Sequence, residues 1–569
     1  MSERKFLPQS LVIRSWDDLK PYYESLSSRP VKGVDDFRVL LEHTSELESV
    51  VSEDLAWRYI RMTCDTTDKA AEASYLEFVQ NIQPHIAPAE DALNKKIISC
   101  SETAALEAED DAYRIYFRSL RSAVELFREE NVPLQAELQT LAQQYASIQG
   151  ALSIQYKGKE YTMEQAAIFL QDPDRTVRET VWTLLHERRM QDVEQLDALF
   201  TEMVQKRHQV ALNAGFRNFR DYMFKALGRF DYTPEDCFQF HEAIATVVVP
   251  MLRKQYQQRM NLLDVDELRP WDLAVDPEQK PALKPFRDGA ELLDRGIRCL
   301  EQTDPFFGEC LAEMKQLNLL DLESRKGKAP GGYNYPLAER NVPFIFMNAS
   351  GKMRDVETLV HEAGHAVHSF LSSSLRLHAF KNTPSEVAEL ASMSMELLSM
   401  EHWDVYFDNR EDHIRAKREQ LEGIIQTLPW IAIVDKFQHW IYEHPNHSHD
   451  DRKEAWVRIN REFGTGLVDY SGYEDALAWG WHRQLHIFEV PFYYIEYGMA
   501  QLGAIGIWKQ VIEHRQQGLQ AYKEALKLGY TRSIPEIYQT GGIRFGFGEA
   551  YVKSLFQFVD QEIRKLGQA

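Results

Sequence analysis

From Asp35 to about Leu152 the chain is almost free of Gly and Pro pairs and sets apolar side chains three and four apart, as at Leu55, Tyr59 and Met62 and again at Tyr116, Leu120 and Val124. That spacing gathers the apolar positions on one face of an α-helix, so long helices are predicted. The segment Ser153 to Met163, SIQYKGKEYTM, alternates polar and bulky residues about Lys157-Gly158 and predicts a β-hairpin. Helical patterning then resumes to about Ala245. From Asp264 to Phe286 it is interrupted by Pro270, Pro277, Pro281 and Pro285 among acidic residues. This reads as an exposed loop or lobe connection, too short for a linker and with Trp271 to bury. PGGYNYP, from Pro330 to Pro336, is turn chemistry, and NVPFIFMN, from Asn341 to Asn348, is a short apolar run that predicts a strand. Such a strand either is a buried structural element or offers an edge to which an extended peptide can add. The glycine-rich stretch Gly541 to Gly548 lacks the GK[ST] ending of a P-loop, so a flexible turn near the site is expected there instead of a phosphate cradle.

The next helical pattern carries chemistry. Val356, Val360, Ala363, Val367 and Phe370 fall on one side of a predicted helix, and His361 and His365 on the other. Residues four apart on a helix share a face, so both imidazoles can aim at one cation. Glu362 is turned about 100° from His361 and lies within reach of a metal-activated water that needs a base. Together these residues spell HExxH.

Composition narrows the setting. At 569 residues, 44% of them hydrophobic, the chain exceeds a single core and predicts two or more lobes. We divide it into an N-terminal helical domain, 1–200, and a catalytic domain, 201–569. The formal net charge of -22 disfavours a nucleic-acid partner, because affinity for phosphate backbones comes from Lys and Arg. Cys64, Cys100, Cys237, Cys299 and Cys310 are scattered, odd in number and free of any CxxC pair, so neither a disulfide framework nor a thiolate zinc site is indicated. The first twenty residues lack the apolar stretch of a secretory signal, and no stretch reaches the length of a membrane span, so no membrane partner and a cytoplasmic location are expected. Nothing in the pattern selects between a monomer and a homo-oligomer.

Catalytic zinc usually takes three protein ligands and keeps a position for water. Leu371 excludes the variant in which a third histidine follows on the same helix, and His368 stands where that variant has Gly. His368 is read as a supporting or substrate-facing group. The following helix, Thr383 to Met400, offers Glu386, Glu389 and Glu396. Thr383-Pro384-Ser385-Glu386 has the form of a capping box, which gives Glu386 a structural role. Glu389 is then the natural ligand and Glu396 a carboxylate behind the ligands, with Glu386 and Glu396 as the alternative donors.

The segments DVETLVHEAGHAVH and SEVAELASMSMELL, with LRPWDL and the NVPFIFMN strand, resemble the thimet oligopeptidase and oligoendopeptidase F family of zinc peptidases, and more closely the oligoendopeptidase F branch. The likeness covers roughly 150 to 569 well and the N-terminal helices more loosely. It implies a mostly α, elongated, two-lobed zincin peptidase with a small β element beside the HExxH helix and a deep substrate channel between the lobes. It implies one zinc ion per chain held by His361, His365 and Glu389, with Glu362 as general base. Ala363 departs from the family, where a bulkier apolar residue is common. Between Trp479 and Tyr497, WGWHRQLHIFEVPFYYIEY reads by itself as aromatic core. The resemblance instead makes Tyr494 and Tyr497 a catalytic tyrosine pair with His486 upstream, and Tyr493 a rival to Tyr494. A second metal pair from His482 and His486 is disfavoured for want of a carboxylate at that spacing.

The expected activity is hydrolysis of short unstructured oligopeptides at internal bonds. HExxH fixes the hydrolytic step and not the place of the cut, so an exopeptidase (carboxypeptidase) is the near alternative, and a zinc-containing peptide-binding protein without turnover the more distant one.

Overall fold

The computed structural model describes residues 4–329 and 331–567, and these are mainly helical, with two small sheets. The chain divides into two compact units, each built from three stretches of sequence: Met1–Phe127, Leu283–Lys417 and Met499–Phe545 in the first, and Arg128–Ala282, Arg418–Gly498 and Gly546–Ala569 in the second.

In the first unit the 31-residue helix Val34–Cys64 buries Phe37, Leu40, Leu41, Thr44 and Leu47 along one stripe. Phe37, Leu40, Leu41 and Leu47 join Leu19, Tyr23, Ile82, Phe117 and Phe380 in one apolar cluster, as the three-and-four periodicity predicts. The same unit holds a three-stranded sheet of β3 (Leu320–Glu323), β4 (Tyr333–Leu337) and β5 (Val342–Ala349) in the order β3-β5-β4. The predicted strand therefore exists, but it is the central one. β3 pairs with it in parallel and β4 antiparallel, so both of its edges are occupied and peptide addition to β5 is ruled out. Its nearly continuous burial follows from that position. The reading of PGGYNYP as turn is also corrected: Tyr333 to Pro336 lie in β4, an edge strand where proline costs no ladder bond on the outer side. Pro330 lies outside the described residues.

In the second unit the predicted hairpin forms from β1 (Ser153–Tyr156) and β2 (Lys159–Thr162), with Ile154 facing Tyr161. Lys157 and Gly158 both take positive φ, 50° and 76°, which is the two-residue turn whose twist suits paired strands. The proline-rich interruption is less exposed than its composition suggested. Leu268, Trp271, Asp272 and Val275 are buried, and the Asp272 carboxylate accepts hydrogen bonds from Arg175 at 2.7 Å and Arg178 at 2.9 Å. A buried carboxylate with two guanidinium partners fixes an irregular segment that lacks a ladder of its own. No helix among the described residues is long and apolar enough to cross a membrane, and no disulfide links the five cysteines.

Candidate metal centre

The HExxH helix runs from Met353 to Ser372. Its start is held by Asp355, whose carboxylate accepts from the backbone N–H of Ser350 at 2.8 Å and of Lys352 at 2.9 Å. Val356, Val360, Ala363 and Val367 are buried as their spacing predicts, Phe370 is half-buried, and His361 and His365, mostly buried with side chains 21% and 19% exposed, lie on the other side.

The acidic helix, Ser385–Ser399, packs directly on it. Gly364 is the contact point: a Cβ there would lie 2.6 Å from Ser392 Cα and 2.7 Å from Ala391 O. With no side chain between them, the two backbones come close enough for a carboxylate on one helix to reach imidazoles on the other. The helix starts one residue later than predicted. Pro384 occupies the N-cap and no side chain caps it, so the Thr383 capping box does not form. A proline has no amide to be capped, and Glu386 is buried. Its carbonyl accepts from the Tyr538 hydroxyl at 3.1 Å, while Ala391 O accepts from Tyr522 at 2.7 Å. Two buried phenols thus anchor the acidic helix.

One ligand atom each from His361, His365 and Glu389 lie within 4.8 Å of one another. Glu389 Oε2 is 3.4 Å from His361 Nε2 and 3.9 Å from His365 Nε2. Two imidazoles and one carboxylate converging in this way fit the donor set of a divalent zinc-class ion that keeps its fourth position for water. Glu396 is behind them: its Oε1 accepts from His361 Nδ1 at 2.7 Å, which leaves Nε2 as the atom facing Glu389. Ser392 Oγ donates to Glu389 Oε2 at 3.1 Å. The sequence reading missed that serine, although its position three residues after Glu389 on the same helix was the available signal.

Glu362 is 6% exposed and its Oε2 has no hydrogen-bond partner among the described residues. Burial, reinforced by the nearby Glu389 and Glu396 charges, pushes its carboxyl up to about 7. Burial holds His365 down to about 4. His368 is also buried and pushed down to about 3, so the substrate-facing reading of that histidine is corrected. Asn334 of β4 donates to the carbonyl of Glu362 at 3.2 Å, which ties the edge strand to the HExxH turn of the helix.

The second unit gathers the remaining predicted residues. His486 has its ring centroid 4.8 Å from Tyr494 and 5.9 Å from Tyr497, and the two tyrosines are 5.5 Å apart. Tyr493 is 5.2 Å from Tyr497. All four rings are half-buried, so they are not a sealed aromatic core. Gln484 Nε2 donates to His486 Nδ1 at 2.8 Å, leaving Nε2 of that ring as its N–H. Among the described residues neither His482 nor His486 joins a metal-capable cluster.

Comparison with known proteins agrees in fold. The family model described as Peptidase family M3 matches residues 168–556, and that of the Peptidase M3 N-terminal domain matches 8–127. Oligopeptidase PepF of Bacillus subtilis is 22% identical over 391 residues, which are 68% of this chain and 56% of that protein. The oligoendopeptidase F homolog of Borreliella burgdorferi is 23% identical over 431 residues, 72% of this chain and 70% of its own. The alignments thus leave a good part of each curated relative unmatched. Among solved structures, PZ peptidase A with inhibitor 2 superposes with a TM-score of 0.88 at 26% identity, over 96% of both chains. With the family model spanning more than half of its length, the chain belongs to peptidase family M3, a family of metallopeptidases.

Proposed function

We propose that the protein is a zinc-dependent endopeptidase of short unstructured oligopeptides. The observation that carries the reading is the convergence of His361, His365 and Glu389 next to a buried Glu362. His361, His365 and Glu389 would hold the ion, which when bound supplies Lewis acidity that brings the pKa of water toward roughly 7. Glu362 takes the proton of the attacking water, holds it in its buried pocket and returns it to the departing amine. Its raised affinity for protons suits a group that is base in one half of the reaction and acid in the other. Glu396 keeps His361 in the ligating tautomer, and Ser392 keeps the Glu389 carboxylate turned toward both rings. Tyr494, clustered with His486 and Tyr497, is the residue to which the family resemblance assigns the hydrogen bond to the developing oxyanion.

The test is cleavage of a quenched peptide of roughly ten residues blocked at both ends. Chelator-sensitive cutting at an internal bond is the expected result. Release of terminal residues only, and only from unblocked peptides, identifies an exopeptidase. Binding without cleavage identifies a peptide-binding protein.

A further inference from the structure

The second unit holds another set of metal-ligating side chains, far from any motif. Cys237 and His241 stand four apart on the helix Pro234–Ala243, and Asp435 and His439 four apart on the helix Arg410–Glu443. Each pair shares a face of its helix, and the two faces meet. One ligand atom each from Cys237, Asp435 and His439 lie within 4.8 Å of one another. Asp435 Oδ2 is 2.8 Å from His241 Nε2 and 3.3 Å from His439 Nε2. None of the four residues is more than 2% exposed. The surroundings are apolar: Phe238, Phe492 and Phe224 stand against the His439 ring, with centroids 4.9, 5.3 and 5.8 Å away.

As a purely hydrogen-bonded cluster this arrangement is poorly satisfied. Asp435 Oδ1, His241 Nδ1 and His439 Nδ1 are buried without a hydrogen-bond partner among the described residues, and His439 Nε2 stands 3.3 Å from Asp435 Oδ2 without the alignment of a hydrogen bond. Buried polar atoms are almost always partnered, and a wholly buried carboxylate needs a cation. A divalent ion removes both difficulties, because one thiolate and one carboxylate balance its charge and neutral imidazoles complete its shell. The mixture of sulfur, nitrogen and oxygen donors suits zinc better than calcium or magnesium, which prefer oxygen alone. The lack of a CxxC pair hid the set from the sequence, since His241 and Asp435 are 194 residues apart.

We propose that Cys237, Asp435 and His439, with His241 as fourth donor, form a second metal site, closed to solvent and structural, that takes a zinc-class ion and clamps the two helices together. It does not depend on the peptidase reading, and the experiment distinguishes the two because only this site contains a thiolate.

Full-length protein is stripped with a chelator and titrated with Co2+. The expected result is a near-ultraviolet thiolate-to-cobalt charge-transfer band, in the wild type and equally in the His361→Ala/His365→Ala double variant. Cys237→Ser removes the band and Cys310→Ser keeps it. After reconstitution with Zn2+ the wild type carries about two ions per chain and the double variant about one, and removing that ion lowers the Tm of the double variant. If Cys237→Ser does not fold, Asp435→Asn and His439→Gln take its place, each expected to weaken cobalt binding at least tenfold. No thiolate band in the wild type, a band that survives Cys237→Ser, or complete loss of zinc in the double variant overturns the proposal.

Discussion

His361 Nδ1 donates to Glu396 Oε1 across 2.7 Å, a contact between the HExxH helix and the acidic helix that lies on the far side of the ring from Glu389. It fixes which nitrogen carries the proton and adds basicity to the other. Partners of this kind typically change metal affinity 10–100-fold. Glu396→Ala is therefore expected to weaken zinc by about that factor, while activity at saturating zinc falls much less. Competition against a calibrated chelator measures the first and assays over a zinc series the second. An unchanged affinity would remove Glu396 from the site.

Glu362→Gln keeps the size of the side chain and removes its ability to take a proton. Turnover is expected to fall by about 10²–10⁴ or more, with metal content unchanged because the ligand atoms belong to other residues. Steady-state assays and metal analysis on the same preparation check both halves. Full activity in a metal-replete variant refutes the base assignment.

Tyr494→Phe deletes one hydroxyl from the half-exposed aromatic cluster. An oxyanion donor is worth about 10²–10³ in kcat, so kcat should fall by that order with zinc retained. Tyr493→Phe is the paired control. If it produces the larger loss, the donor is Tyr493 and the roles exchange.

Gly364 and Gly423 separate close packing from helix propensity. A Cβ at Gly364 meets the Ser392 and Ala391 backbone below 3 Å, whereas one at Gly423 meets nothing within 4 Å. Gly364→Ala must push the two ligand-bearing helices apart, at about 1–3 kcal/mol for overpacking, and should lower zinc affinity as well. Gly423→Ala should be neutral or stabilise by about 0.5–1 kcal/mol, since alanine restricts the unfolded chain. Thermal melts of both with and without added zinc distinguish them. Equal and opposite behaviour of the pair is not expected if Gly364 is an ordinary helical position.

What could be read in advance follows from the range of the interactions involved. The HExxH geometry, the buried face of Val356, Val360 and Val367, and the Lys157-Gly158 turn are local, and each was legible from spacing. Glu389 was legible only as one of three carboxylates on the next helix: the capping box that set Glu386 aside does not form, and the family resemblance is what singled Glu389 out. The central position of β5 was not legible, because strand order depends on β3 and β4, and the two prolines and two glycines of PGGYNYP masked the latter as a turn. The Thr383 cap failed because Pro384 took the cap position itself. The Cys237, His241, Asp435 and His439 set was invisible because two half-motifs nearly two hundred residues apart carry no spacing signal.

The sheet beneath the HExxH helix has an electrostatic anchor of its own. The Lys328 ammonium, its side chain fully buried, donates to Asp321 Oδ1 at 2.8 Å and to the carbonyls of Asp321 and Glu323 at 2.9 Å. Burial alone would raise the Asp321 carboxyl, but hydrogen bonds from Arg325 and Lys328 outweigh it and hold it down to about 2, from 3.8. A folded pKa below the unfolded one means that the unfolded chain binds the proton more readily. The contribution is therefore fully present above about pH 4 and is lost as the pH falls through about 2. Asp321→Asn leaves the ammonium buried without its anion, which costs about 3–5 kcal/mol at neutral pH. The gap in Tm between wild type and Asp321→Asn should be widest near neutrality and begin to narrow below about pH 4, where the unfolded wild-type chain takes up the proton while the folded carboxyl stays ionised down to about 2. A gap that stays constant as the pH is lowered from 5 while the protein remains folded would mean that Lys328 is held by its carbonyl partners alone.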